Sequence, residues 1–139
     1  MPLWIPFATA AFGAAVTISV FILTGRRERA KSKREAIAKF RSAFAEAITQ
    51  IDNKDPHFLM SQAQVQHDVA IFEFRAFVDP RRVNYFDEAV EKFHRCRGEM
   101  RPALFTVLES SVSGKPIDNS DTLKLKEALN ELLAFATKT

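Results

Sequence analysis

The sequence predicts an all-α protein: an N-terminal transmembrane helix followed by an antiparallel bundle of about four helices. Three observations predict it. Residues 3–24, LWIPFATAAFGAAVTISVFILT, carry no charged side chain. Beyond Arg26 the apolar residues recur at steps of three and four, the spacing of one helix face. Asp-Pro pairs and polar clusters cut that pattern at 52–56, 79–80 and 110–121, which reads as helix caps and loops. With 47% apolar residues and only ten Gly plus Pro in 139, the chain has the composition of a packed domain. Thirteen residues are Phe; Phe7, Phe12 and Phe21 fall in the first 25, and the other ten need burial within the rest of the chain.

The layout divides into an anchor at 1–25, a basic juxtamembrane segment at 26–35 and a cytoplasmic bundle at 36–139. As a helix, Leu3 to Thr24 would extend roughly 33 Å, enough to cross a hydrocarbon core of ~30 Å. Pro6 falls in its first turn, where a missing N–H costs little, and Trp4 stands where an interfacial aromatic belongs. A cleaved export signal needs a basic stretch before a shorter apolar run and small residues after it. Here Met-Pro precedes the run, and Phe21-Ile22-Leu23 and a basic cluster end it. Arg26, Arg27, Arg29, Lys31, Lys33 and Arg34 all lie after the span and no basic residue precedes it. The positive-inside rule then puts the chain in the inner (cell) membrane as a single-pass protein, with its N-terminus outside and its C-terminal domain cytoplasmic. Thr9, Gly13 and Thr17 recur every fourth residue within the span, a spacing that permits close packing of two spans and hence a homo-oligomer.

The sequence pI of 9.2 suggests nucleic-acid binding until the charge is located. Residues 26–35 carry six basic and two acidic residues, a net +4; the remaining 14 basic and 15 acidic residues lie in 36–139, a net −1. A nucleic-acid-binding domain carries its positive patch on the fold, so no nucleic-acid partner is expected.

Ile37, Phe40, Phe44, Ile48 and Ile51, with Ala47, define the first bundle helix, which runs from the basic cluster to about Gln50, with Gly25 as a weak point before it. Asp55-Pro56 supplies a cap and a first-turn proline for the second, which runs to about Val78. Phe58, Val65, Val69, Phe72 and Ala76 share one face of it, and Ile71, Phe74, Phe77 and Val78 fall on others, so its C-terminal half should be central. AIFEFRAFV, residues 70–78, also fits a short strand, although the helical pattern runs straight into it. Asp79-Pro80 opens the third helix, with Val83, Phe86, Val90 and Phe93 on one face and Ala89, Cys96 and Met100 alongside. Gly98 and Pro102 either kink it or split it, a new helix then carrying Leu104, Phe105 and Leu108. A polar loop at 110–121 leads to a last helix, capped by Ser120 or Asp121, with Leu125, Ala128, Leu129, Leu132 and Ala136 as its stripe. The segments KFRSAF, FDEAVEKF and LNELLAFA, behind one apolar anchor and a basic hinge, resemble those of uncharacterised small bacterial single-span membrane proteins with a cytoplasmic helical domain. The resemblance implies the same layout and carries no activity.

The chemistry-bearing residues form no recognisable constellation. His57, His67 and His94 show no metal-ligand spacing with one another, with Glu or with Cys96, so no metal or cofactor is expected and the histidines read as surface or boundary residues. Asp87, Glu88 and Glu91 interleave with Lys92 and Arg95 at i,i+4, the pattern of a solvated helix face. The serines around Gly114-Lys115 lack Walker-loop spacing, and no G-x-S-x-G elbow exists. Cys96 between Arg95 and Arg97 reads as a half-buried inert thiol. The Phe residues, Phe40, Phe44, Phe72, Phe86 and Phe93 among them, are spaced as core.

The functional expectation is a non-enzymatic, membrane-anchored anchor or adaptor whose bundle binds an unidentified protein partner. The alternative is a membrane-perturbing effector, a toxin or phage-type lysis factor, oligomerising through Thr9, Gly13 and Thr17. Membrane lipid is the second expected partner. If the second helix returns the chain towards the bilayer, Arg81 and Arg82 join the six basic residues of 26–34 on a surface facing anionic headgroups, each charge contributing up to about 1 kcal/mol.

Overall fold

Long uninterrupted helical periodicity and an absence of Gly or Pro between Arg26 and Ile51 let the first helix run far. In the computed structural model, which describes the backbone of residues 5–114 and 119–137 and the side chains of 23–114 and 119–137, α1 spans Ile5–Gln50 without a break at Gly25. After it come α2 (Pro56–Gln62), α3 (Gln64–Arg75), a 3-10 turn (Pro80–Arg82), α4 (Val83–Glu99), α5 (Ala103–Ser113) and α6 (Ser120–Ala134). The described residues are all-helical, with no strand, so AIFEFRAFV is helix and turn. The chain divides into two compact units, Met1–Glu35 and Ala36–Thr139. Among the described residues no helix is long and apolar enough to cross a membrane. The expected span, with Thr9, Gly13 and Thr17 in it, lies outside the described side chains save for its last two residues.

The expected four bundle helices are divided further, and each division has a local cause. Asp55 caps α2, its Oδ1 accepting from the His57 N–H at 3.0 Å, with Pro56 at the first helical position. The second helix is not continuous: Ala63, at φ −96° and ψ 6°, separates α2 from α3. The Asp79 Oδ1 accepts from the Arg81 N–H at 2.9 Å, and the proline-led first turn is 3-10 before α4 begins. Met100 turns extended at φ −66° and ψ 131°. Pro102 disfavours helical backbone in the residue before it, so the Gly98–Pro102 segment splits the helix. α5 continues to Ser113, well into the stretch expected to be loop, and stops at Gly114, whose left-handed φ of 67° favours glycine. Asn119, and neither Ser120 nor Asp121, occupies the cap position of α6, with no side-chain capping bond.

The core of the 36–139 unit is aromatic. Phe40, Phe44, Phe74, Phe86 and Phe93 are all buried. Phe40 of α1 stacks on Phe74 of α3 with ring centroids 4.4 Å apart, and Phe44 stacks on His67 at the same distance. Phe93 of α4 meets Phe44 edge-on at 5.7 Å, and Phe86 meets Phe135, just past α6, at 5.3 Å. α6 lays Leu125, Ala128, Leu129 and Leu132 into the same cluster and packs closely along α4.

Two sequence expectations fail here. Phe72, placed with the core stripes, is 80% exposed, with Phe58, Val65, Val69 and Ala76 also outward. The buried face of α2–α3 is instead Leu59, Met60, His67, Ala70, Ile71 and Phe74. The two stripes are both apolar, and spacing gives the period of a face but not which face turns inward. The charged residues of α4 also bond across helices. Asp87 holds Arg75 of α3 through two bonds of 2.7 Å, and Lys92 reaches Glu131 of α6 at 2.7 Å; of the expected local pairs only Glu91–Arg95 forms.

Truncating a buried ring leaves a cavity, whereas truncating an outward one does not. Phe74→Ala should cost about 3–5 kcal/mol, while Phe72→Ala should stay within about 0.5 kcal/mol. Denaturant titration of both variants at low protein concentration measures the difference.

Candidate interaction surface

The helix α5 is amphipathic in an unusual sense. At 3.6 residues per turn, Leu104, Phe105, Val107, Leu108 and Val112 share an arc of about 160°. All five are outward, with exposures from 47% for Val107 to 88% for Val112. Thr106 and Ser110 are the half-buried side of the helix, and no residue of α5 is buried. The helix therefore turns its apolar side to solvent, and of its polar residues only Thr106 and Ser110 are half-covered, Glu109, Ser111 and Ser113 being exposed as well. A shallow depression of about 550 Å³ runs along the apolar side, lined by Phe105, Leu108 and Val112 together with Arg101 and Glu109. Its position is fixed at the N-terminal end. The Asp55 carboxylate that caps α2 through Oδ1 also accepts, through Oδ2, the otherwise orphan N–H of Ala103 at 3.2 Å.

The second outward apolar face lies on α2–α3. Phe58, Gln62, Val65, Val69, Phe72 and Ala76 succeed one another at steps of four, three, four, three and four. That alternation is the seam of a helix that packs on another helix. The helical hydrogen bonding continues across Ala63, whose N–H donates to Leu59 and whose carbonyl accepts from His67, so the face is nearly continuous. Soluble monomers seldom leave patches of this kind uncovered.

The charged residues bordering both faces are engaged within the chain. Glu73 pairs with Lys39, Arg75 with Asp87, and Arg101 with Glu109. Asp68 receives Arg97 at 2.8 Å and faces His94 Nε2 at 3.3 Å, and Arg97 also lies over the Phe93 ring.

Beneath the α2–α3 face, His67 is 1% exposed, and neither ring nitrogen has a hydrogen-bond partner among the described residues. Desolvation pushes its pKa below the usual 6.5; the nearby Ala43 carbonyl, which does not complete a hydrogen bond to the ring, opposes this, Arg97 adds to it and Asp68 opposes it. The surface or boundary position expected of it is therefore corrected: His67 lies in register with Met60, Ile71, Phe74 and Val78. Its imidazole serves as a flat ring against Phe44.

A polar cleft of about 300 Å³ brings His57, His94, Arg97, Ser61 and Gln64 together with Met60, Gly98 and Met100. The Ser61 hydroxyl donates to the Phe58 carbonyl at 3.0 Å, and His94 faces Asp68. Burial, then the nearby Glu99 charge, raises the Cys96 pKa, so the flanking arginines do not activate the thiol. Among the described residues no group of three or more His, Cys, Asp or Glu could hold a metal ion.

The basic residues expected at a membrane surface fall in both units. Arg26, Arg27, Arg29, Lys31 and Arg34 are exposed on α1, with Lys33 half-buried. Lys31 is 3.8 Å from Glu35. Arg81 is exposed, whereas Arg82 is half-buried and lies 4.7 Å over the Phe135 ring, so part of its role is packing.

No protein-family model matches this chain, and no curated protein or solved structure is significantly similar to it. The functional reading rests on the chain's own residues.

Burial of His67 makes stability depend on pH. In the unfolded chain His67 takes up its proton as pH falls through about 6.5, while the folded protein resists protonation. The unfolded state then binds more protons, so stability is highest above pH 6.5 and declines below it until the lowered folded-state pKa is passed. His67→Phe should flatten this decline in denaturant titrations at pH 8 and pH 5.5. Asp55→Ala, which removes the cap of α2 and the partner of Ala103, should cost about 1–2 kcal/mol. Hydrogen exchange should show the first turns of α2 and α5 both losing protection.

Proposed function

We propose that this protein is a single-span inner-membrane protein whose bundle, residues 36–139, is cytoplasmic and binds protein as an anchor or adaptor, without chemistry of its own. The observation that carries the binding role is the apolar arc of α5: five large apolar side chains turned to solvent on one side of a helix whose half-buried positions are Thr106 and Ser110. A three-turn helix held in this way leaves its apolar arc for a partner. The outward seam of α2–α3 supports the same role. Support for anchoring comes from the sequence: 22 uncharged residues, with six basic residues after them and none before.

The test is fractionation with site-directed photo-crosslinking in cells. The full chain should sediment with membranes and resist alkaline extraction, and removal of residues 1–24 should release it. A photo-reactive side chain at Phe72 or Val112 should give adducts with protein. Lipid adducts alone, or none, would overturn the protein-binding reading.

A further inference from the structure

We infer that the partner of these faces is a second copy of this chain: α5 of each copy lies along the α2–α3 seam of the other, in a two-fold dimer. The inference rests on the protein-binding reading above and names its partner. Three observations on the molecule lead to it.

The first is fit. The chain carries two unpartnered apolar helical faces, each requiring a helix to cover it. α5 is an 11-residue helix, roughly 16 Å long at about 1.5 Å per residue, and the seam from Phe58 to Phe72 extends roughly 21 Å. An isolated helix face of one copy is the kind of ligand the other face accepts. Reciprocal exchange covers both faces on both copies and closes the assembly, leaving no apolar face free to recruit a third copy.

The second is area. Four large side chains on the seam and five on α5 are exposed by between 47 and 88%. Together they present on the order of 1,000 Å² per copy, against the ~800 Å² per partner of a standard stable interface. Either face alone would fall short of that figure.

The third is charge. The residues bordering the faces are ion-paired within the chain, as Glu73 with Lys39, Arg75 with Asp87 and Arg101 with Glu109. A strongly charged partner would find no complementary field. An interfacial membrane helix typically carries Lys and Arg on its polar side; the polar side of α5 carries Thr106, Glu109, Ser110 and Ser113. A weakly charged helix with an apolar side fits these borders, and α5 is one, its single charged residue Glu109 being paired with Arg101. Confinement of both copies to one membrane would raise their effective concentration and favour exchange.

The experiment is disulfide trapping in membranes from cells that co-express two differently tagged full-length chains, both carrying Cys96→Ala. One tag carries Val65→Cys and the other Val112→Cys; both sites are exposed, so neither substitution opens the core. The expected dominant product after mild oxidation is the mixed dimer joining position 65 of one copy to position 112 of the other. It should be lost when both chains also carry Phe72→Glu, with the helical circular dichroism of the variant unchanged. Dominance of dimers joining like positions, or no product at all, would overturn the inference. So would an unpaired chain whose label at position 112 is quenched from the lipid phase, since the membrane would then occupy α5. The two readings fail separately. Photo-adducts with another protein but no mixed disulfide leave the protein-binding role standing without the dimer; absence of any protein adduct removes both.

Discussion

The contact on which the rest of the bundle depends is the triangle of rings formed by Phe44, His67 and Phe93. Phe44 comes from α1, His67 from α3 and Phe93 from α4, and the three rings meet with centroids 4.4, 5.7 and 6.1 Å apart. Stacked and edge-on rings satisfy the aromatic quadrupole while filling the space between three helices. A second set, Phe40, Phe74, Phe86 and Phe135, extends the contact towards the end of α6. The seating of a histidine in this position is costly, because an imidazole without hydrogen-bond partners loses its hydration. Burial there favours the neutral ring, and the imidazole serves as a flat surface against Phe44. Burial of His67 also fixes the rotation of α3: with it inward, Ile71 and Phe74 turn inward too, and Val65, Val69 and Phe72 must face out.

Much of this fold is legible in the sequence. The end of α1 at Gln50, the Asp-Pro caps at 55–56 and 79–80, and the stripes of α4 and α6 all arise from spacing and capping chemistry. Leu125, Ala128, Leu129 and Leu132 are buried as their periodicity predicts. The α2–α3 segment defeats the same reasoning for a physical reason. It carries two apolar stripes, and a single-sequence pattern measures contrast between faces, which vanishes when both are apolar. For α5 the stripe is visible in Leu104, Phe105 and Leu108, but the serines around Val112 give that part of the helix the composition of a loop. That the stripe faces outward is a tertiary fact with no local signal.

The charged residues obey a similar logic. On paper the acidic and basic residues of α4 neutralise one another along the helix. In the structure Asp87 and Lys92 bond to Arg75 and Glu131, so α4 is tied to α3 on one side and α6 on the other. Such exposed pairs contribute little stability individually. They do fix the rotational setting of α4, which carries two rings of the aromatic core. Arg97, with its guanidinium over the Phe93 ring and bonded to Asp68, fastens the α3 side again at the polar cleft.

The carboxylate of Asp55 has a consequence beyond capping. Its two oxygens end two different helices, one at the entry to the α2–α3 seam and one at the base of α5. The two outward faces therefore share a hinge pin. A load that levers α5 away from the bundle is felt at the first turn of α2, and a shift in α2 is felt at the root of α5. The two faces are thus rooted at one carboxylate, as two arms are on one bracket.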